Sequence, residues 1–374
     1  MSTASDQPLW IPSKERIAAA NMTRFIQDCG QKDYAALYAW SIAEPVKFWQ
    51  KVWTFCGVIG DQGAPPFLVD GDKMPGAHFF PQARLNLAEN LLKRRDGGDA
   101  IVFWGEDKVK RRLSFQELYD QVSQCAQALK AVGVTEGDRV AGYLPNMPEA
   151  VIAMLATTSL GAIWSSASPD FGTKGVLGPI RPDRAQGAVR RRGLLLQRQG
   201  VRLSREGRRD PGRDADRQAR GHHPLHPRHQ GPHLAGQCRR LGRVPGAAPG
   251  RRDRVQPRAI QPPGLCDVLV GTTGAPKCIV HGVGGTVLQH LKELRLHSDV
   301  KDNDRVFYFT TCGWMMWNWV VSCLGCNATL LQFDGSPFHP SGNVLFDYAD
   351  AEKMTLFGTS ANGSTRCSRP GSSR

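Results

Sequence analysis

An 80-residue window, Arg181 to Ile260, limits what this chain can fold into more than any other feature. It holds 21 Arg, no Lys, six acidic residues and not one Phe, Trp or Tyr. All 30 aromatic residues of the 374-residue chain lie outside it, at a density that would put about eight inside. Met, Asn and Thr are missing as well, while Arg, Gly, Pro and His crowd in. So little apolar mass cannot offset the entropy of ordering the backbone, and the composition predicts disorder there. The window also carries the charge: it is net +15, the other 294 residues are net −1, and the chain is +14. A basic balance ordinarily suggests a nucleic-acid or anionic-membrane partner. Here the alternative is a disordered RNA- or DNA-binding arm, but the tract has no aromatics for base stacking and no regular Arg-Gly repeat. The expectation is therefore no nucleic-acid partner.

Outside the window the chain reads as folded α/β protein. Pro45 suits a first helical position, with Val46, Trp49, Val52, Trp53 and Cys56 on one face and Gly57 as a stop. Ser114 and Glu117 form a capping box ahead of Leu118, Val122, Cys125, Leu129 and Val132, and Gly133 closes that helix. Strand Arg139 to Leu144, helix Pro148 to Leu160 and strand Ala162 to Ser166 make a βαβ unit of a doubly wound sheet. Order is expected to return at Gly271. Helices are predicted over Thr286 to Leu296, Met315 to Leu324 and Asn343 to Ala351. Strands are predicted over Val306 to Thr311, Ala328 to Phe333 and Thr355 to Phe357.

No apolar region of useful length follows the polar start Met1 to Gln7, so no secretory leader is expected. The most apolar run, Trp314 to Cys326, is 13 residues and contains Asn318, too short to span a bilayer. Ten scattered Cys suit a reducing cytoplasm. Cys323 and Cys326 form a lone CxxC without a second pair and read as a chance pairing in an apolar helix. His222, His223, His226, His229 and His233 with Cys238 resemble a metal tract only in composition, and no metal site is assigned.

The sharpest motif is Gly271-Thr272-Thr273-Gly274-Ala275-Pro276-Lys277. Two glycines admit close backbone approach to phosphate, two hydroxyls donate hydrogen bonds and the lysine brings charge. It is not a Walker A loop: Pro276 precedes the lysine and Cys278 follows it. GTTGAPK followed by His281 and Gly282 resembles the signature of adenylate-forming enzymes, as do LSFQELYDQV, GDRVAGYLPNMPEAVIAMLATTSLGAIWSSASPDFG and FYFTTCGWMMWNWVVS. Within that superfamily the chain is similar to the acetoacetate–CoA ligases. The segments that carry this are WSIAEPVKFWQKVWTFCGV, PGAHFFPQARLNLAENLL, KCIVHGVGGTVLQHLKELRLHSD and DGSPFHPSGNVLFDYADAEKMTLFGTSA. The likeness covers roughly residues 8–178 and 271–361.

The resemblance implies the large N-terminal domain of the adenylate-forming fold and a two-step reaction. A carboxylate attacks the α-phosphate of ATP, and the CoA thiol then displaces AMP from the acyl-adenylate. The small-molecule partners implied are acetoacetate, ATP and CoA, with Mg²⁺ as cofactor. It assigns Gly271, Thr272, Thr273, Gly274 and Lys277 to the β- and γ-phosphates, with Lys277, Thr272 and Thr273 catalytic through electrostatic stabilisation. Gly358, Thr359 and Ser360 would line the nucleotide pocket. Trp314 is either a wall of the acyl pocket or core packing.

Two departures from the family pattern bear on domain organisation. Leu269-Val270 stands where two serines usually precede GTTG, and the Arg-rich window replaces the strand that should lead there. Elements expected later, including the acidic Mg²⁺ ligand and the small C-terminal domain, do not appear, so the chain as written is expected to be inactive. Read one base out of register, residues 178–199 permit GRFGQIEPKVLFAAEGYFYNGK and residues 265–270 permit YVMYSS. Residues 362–367, in the frame starting two bases earlier, permit KWIDAV. All three are family-like. The domain reading is thus an N-terminal extension and start of core (1–110), a first α/β part (111–178), an out-of-frame Arg/Gly/Pro-rich segment (179–270), the phosphate loop with a second α/β part (271–361), and an aberrant tail (362–374).

Overall fold

The computed structural model describes residues 10–106, 108–171, 193–197, 258–259, 263–269 and 277–360. Helices α1 (Lys14–Ala18), α2 (Asn21–Asp28), α3 (Tyr34–Ala43) and α4 (Pro45–Phe55) come first. Short strands β1 (Gly60–Asp61), β2 (Leu68–Val69), β3 (His78–Phe79) and β4 (Arg84–Leu85) and helix α5 (Leu87–Leu91) follow. Pro45 is the first residue of α4, and Val52, Trp53 and Cys56 are buried on its predicted face. Phe25 and Phe55 meet edge to face with ring centroids 5.1 Å apart, fastening α2 to α4.

Strands β5 (Asp99–Gly105) and β6 (Val109–Ser114) pair antiparallel and lead into α6 (Phe115–Ala131). The capping box is made: Glu117 N donates to Ser114 Oγ at 3.1 Å, and Ser114 N donates to Glu117 Oε2 at 2.8 Å. The βαβ unit follows as β7 (Arg139–Tyr143), α7 (Pro148–Ser159) and β8 (Ile163–Ala167), with β7 and β8 adjacent and parallel. Nearly every side chain of α7 is buried, apolar and polar alike, because α7 is packed on several sides at once.

Three strands lie inside the segment expected to lack order: β9 (Gly193–Gln197), β10 (Arg258–Ala259) and β11 (Pro263–Leu269). These short runs depart from the expectation of a structureless segment, the rest of which lies outside the described residues. The reason is that ladder hydrogen bonds use main-chain groups, so a short apolar run such as Gly193-Leu194-Leu195-Leu196-Gln197 can join a sheet edge without aromatic partners. β9 pairs in parallel with β7, β10 pairs with β4, and β11 pairs with β8.

The remaining elements are β12 (Lys277–Gly282), α8 (Val283–Lys292) with a π-helical turn to His297, β13 (Arg305–Tyr308), α9 (Met315–Val321) with a 3₁₀ turn to Cys326, β14 (Thr329–Asp334), α10 (Val344–Glu352) and β15 (Leu356–Gly358). Helix α8 starts three residues before its predicted position. Gly284 and Gly285 depress local propensity, but tertiary burial of Val283 and Val287 overrides it. The CxxC cysteines are both fully buried in the 3₁₀ turn, and burial pushes their thiols above the ordinary range, Cys326 to about 11.

Among the described residues, the expected βαβ unit lies in one of two five-stranded sheets, which are accompanied by a three-stranded and a two-stranded sheet. One has the order β12-β11-β8-β7-β9, the other β15-β13-β14-β5-β6. A single core cluster runs between them, from Val140 and Trp164 of the first sheet through α7 to Ile101, Val306 and Leu330 of the second. Alternate residues of the second sheet, Val102, Trp104, Phe307, Leu331 and Phe333, face the other way onto Val344, Leu345 and Tyr348 of α10. The sequence does not tell one sheet from two, because a strand buried on both faces has the same apolar run in either arrangement.

Candidate active site

In sheets of this kind ligands bind beyond the carboxyl ends of the parallel strands. β11 runs parallel to β8 in the register Leu265↔Trp164, so its carboxyl end emerges where β8 ends at Ala167. β12 returns antiparallel, with Lys277 paired to Leu269. The backbone of Lys277, first residue of β12 and so the stem of the Gly271–Lys277 segment, therefore stands on the carboxyl-end side of the sheet. Gly271, Thr272, Thr273 and Gly274 lie outside the described residues, as do the His222–Cys238 tract and residues 362–374.

Trp314 follows the carboxyl end of β13 and caps the N-terminus of α9. It is 48% exposed, beside Met315 at 42%, whereas Trp317 one turn on is fully buried. At that exposure Trp314 lies outside the buried core. Gly358 ends β15, and its carbonyl accepts from Phe309 N at 2.8 Å. A Cβ at Gly358 would strike the Tyr308 ring, so glycine is required by close approach of a neighbour. Thr359 is half-buried and Ser360 exposed just beyond. The loop stem, Trp314 and Gly358–Ser360 thus all fall at strand carboxyl ends.

Residues that the motif reading passed over hold these ends together. The side chain of Asn146, 4% exposed, donates through Nδ2 to the carbonyls of Thr310 and Phe333, each at 3.2 Å. Its Oδ1 accepts from Trp317 Nε1 and Gln332 Nε2, each at 2.9 Å. Its backbone N–H donates to Asp334 Oδ1 at 3.1 Å. Ser166 Oγ donates to the Cys312 carbonyl at 2.6 Å, and Cys312 Sγ to the Pro145 carbonyl at 3.2 Å. Burial, reinforced by the charge of Asp334, pushes the Cys312 thiol well above its ordinary range, so it stays a protonated donor rather than a nucleophile. The one available signal was a lone Asn in the apolar run Leu144-Pro145-Asn146-Met147 at a strand end.

Among the described residues no group of three or more His, Cys, Asp and Glu is set to hold a metal ion. No described helix is long and apolar enough to cross a membrane.

The two parallel-stranded sheets with their covering helices define an α/β domain, and comparison gives the family. The pattern of the AMP-binding enzymes matches residues 89–361, and that of the acetyl-coenzyme A synthetase N-terminus matches residues 34–91. The chain belongs to the AMP-binding enzyme family. It is 46% identical over 392 residues to an acetoacetyl-coenzyme A synthetase of Rhizobium meliloti (strain 1021), covering 96% of this chain and 56% of that protein. It is 36% identical over 376 residues to an acetoacetyl-CoA synthetase of Danio rerio, covering 94% and 54%. The solved acetoacetyl-CoA synthetase from Streptomyces lividans superposes with a TM-score of 0.77 at 32% identity, over 96% of this chain and 56% of that one. The chain thus spans just over half the length of the relatives it matches.

Proposed function

We propose that this chain carries the adenylating domain of an enzyme that joins acetoacetate to CoA at the expense of ATP. The carboxylate oxygen of acetoacetate attacks the α-phosphorus of ATP, the bond to the β-phosphate oxygen breaks, and pyrophosphate leaves. The CoA sulfur then attacks the acyl carbon, the bond to AMP breaks, and the thiol proton passes to solvent. Lys277 and the Gly271–Gly274 loop with Thr272 and Thr273 sit on the β- and γ-phosphates, where charge develops as pyrophosphate leaves. Trp314 bounds the acyl group, and Gly358, Thr359 and Ser360 take the nucleotide. Mg²⁺ belongs to this reading through ATP; the described residues offer no ligand set for it, and no step is assigned to it. The carrying observation is that Lys277, Trp314 and Gly358–Ser360 each stand at the carboxyl end of a strand in a chain of this family. Six free cysteines among the described residues support a cytoplasmic setting. In the same reading the Arg-rich segment is out-of-frame translation with no nucleic-acid role.

The test is calorimetric titration of the 374-residue chain with a non-hydrolysable acetoacetyl-adenylate analogue, ATP and AMP. Saturable analogue binding that ATP displaces is expected. Lys277→Ala should weaken ATP about tenfold or more, the scale of a lost charge-assisted contact, and leave AMP unchanged. Absence of saturable binding, or equal weakening of AMP, would count against the assignment.

A further inference from the structure

Each segment of the candidate site hangs from one of two sheets, and the sheets share no ladder. Something must set the distance between their carboxyl ends. One residue in the loop that leaves the first sheet bonds through its side chain to carbonyls at the ends of two strands of the second. That residue is Asn146, three positions beyond the end of β7.

All four hydrogen-bonding sites of its amide are used, two donors and two acceptor positions, which is the full capacity of the group. The partners fall on three different elements. Thr310 follows β13 and begins the turn to Trp314; Phe333 and Gln332 lie on β14; Trp317 lies in the first turn of the helix that Trp314 caps. Phe309, next to Thr310, is the residue whose N–H holds the Gly358 carbonyl. A shift at Asn146 therefore reaches both Trp314 and Gly358 within a few bonds. No other side chain can substitute: Asp would set an oxygen against the two carbonyls, and Ala would leave two buried carbonyls, an indole N–H and the Gln332 amide short of a partner. Gln332 Oε1 has no hydrogen-bond partner, so its bond to Asn146 is the one recorded for that amide.

We propose that Asn146 is a positioning residue for the ligation: its buried amide sets the spacing of the two sheets' carboxyl ends, and so where Trp314 and Gly358–Ser360 stand relative to the Lys277 loop. This rests on the function proposed above. A ligand that bridges both sheets, the acyl-adenylate, should feel the spacing most.

The experiment compares the full chain with Asn146→Ala, Asn146→Asp and Glu352→Gln. Glu352 is buried at the opposite, amino-terminal end of the second sheet, where it bonds Arg305, so it reports general destabilisation without touching the site. Two readouts are taken at a temperature below every variant's melting transition: analogue affinity, and amide hydrogen exchange of segments 309–317 and 356–360. Both Asn146 variants should lose at least tenfold in affinity and exchange at least tenfold faster in both segments, while Glu352→Gln, whatever its effect on exchange, stays within twofold in affinity. Affinity and exchange within twofold of wild type for Asn146→Ala overturn the proposal, as does an equal loss in Glu352→Gln. If the wild-type chain binds no analogue, the functional reading fails by itself. Exchange in the two segments then decides the clasp alone, faster exchange in Asn146→Ala upholding it and unchanged exchange refuting it.

Discussion

Replacing Glu352 with Gln tests whether the second sheet is closed electrostatically at its amino-terminal end. Glu352, 5% exposed at the end of α10, accepts from Arg112 Nη2 at 2.7 Å on both oxygens and from Arg305 Nη2 at 2.7 Å. Asp99 Oδ2 completes a ring, accepting from Arg112 Nη1 at 2.7 Å and from Arg305 Nη1 at 3.2 Å. The four residues come from β6, α10, β13 and β5, so the ring ties a helix to three strands. Gln keeps the shape but removes the charge, and its NH₂ must face one guanidinium. Breaking a buried pair by removing one partner costs about 3–5 kcal/mol. Two facts reduce that here. The Arg112 side chain is 52% exposed, so water replaces part of its loss, and both arginines keep Asp99. About 2–3 kcal/mol is the expected cost, close to one or two charge-assisted hydrogen bonds. For a domain of this size that lowers the melting temperature by roughly 4–10 °C. Urea unfolding followed by tryptophan fluorescence measures it, and the double variant with Asp99→Asn should be non-additive. A loss below about 0.5 kcal/mol, the ordinary range of a surface substitution, would show that the ring contributes geometry and no net stability.

Three further outcomes follow from other parts of the molecule. Gly358→Ala places a methyl against the Tyr308 ring and should cost about 1–3 kcal/mol as an overpacked contact, with analogue affinity falling alongside; unchanged melting would refute the close approach. Lys93 is held below its ordinary range, first by burial and then by the positive charge of Arg295, so at neutral pH its charged form is less favoured folded than unfolded. Lys93→Met should therefore be more stable than wild type near pH 7, and the gain should shrink as pH rises from the lowered folded value toward 10.5, where the unfolded chain also loses the proton; thermal melts across that range measure it. Resequencing of the gene should uncover insertions or deletions bounding residues 179–270, and an uninterrupted frame encoding Arg181 to Ile260 as written would sink the out-of-frame reading.

Local order is what the sequence by itself determined. The helix begun by Ser114 and Glu117, the one begun at Pro45 and the strand-helix-strand run from Arg139 to Ala167 are all legible, because caps, proline and apolar period act within a few residues of each other. The phosphate role proposed for Gly271–Lys277 rests on a pattern equally local. Composition also marked Arg181–Ile260 as foreign to the rest, although it could not foresee that Gly193–Gln197 and Pro263–Leu269 pair by their backbones. Only the tertiary structure decided that the strands divide among separate sheets, that Trp314 lies outside the buried core, and that Gly358 is pressed against Tyr308. It alone brought Asn146 to Trp317 across 171 positions and Arg112 to Glu352 across 240. Such contacts leave no periodic trace in the chain. A lone Asn or Glu is compatible with many surroundings, and its role is set by which distant backbone groups the fold leaves in need of a partner.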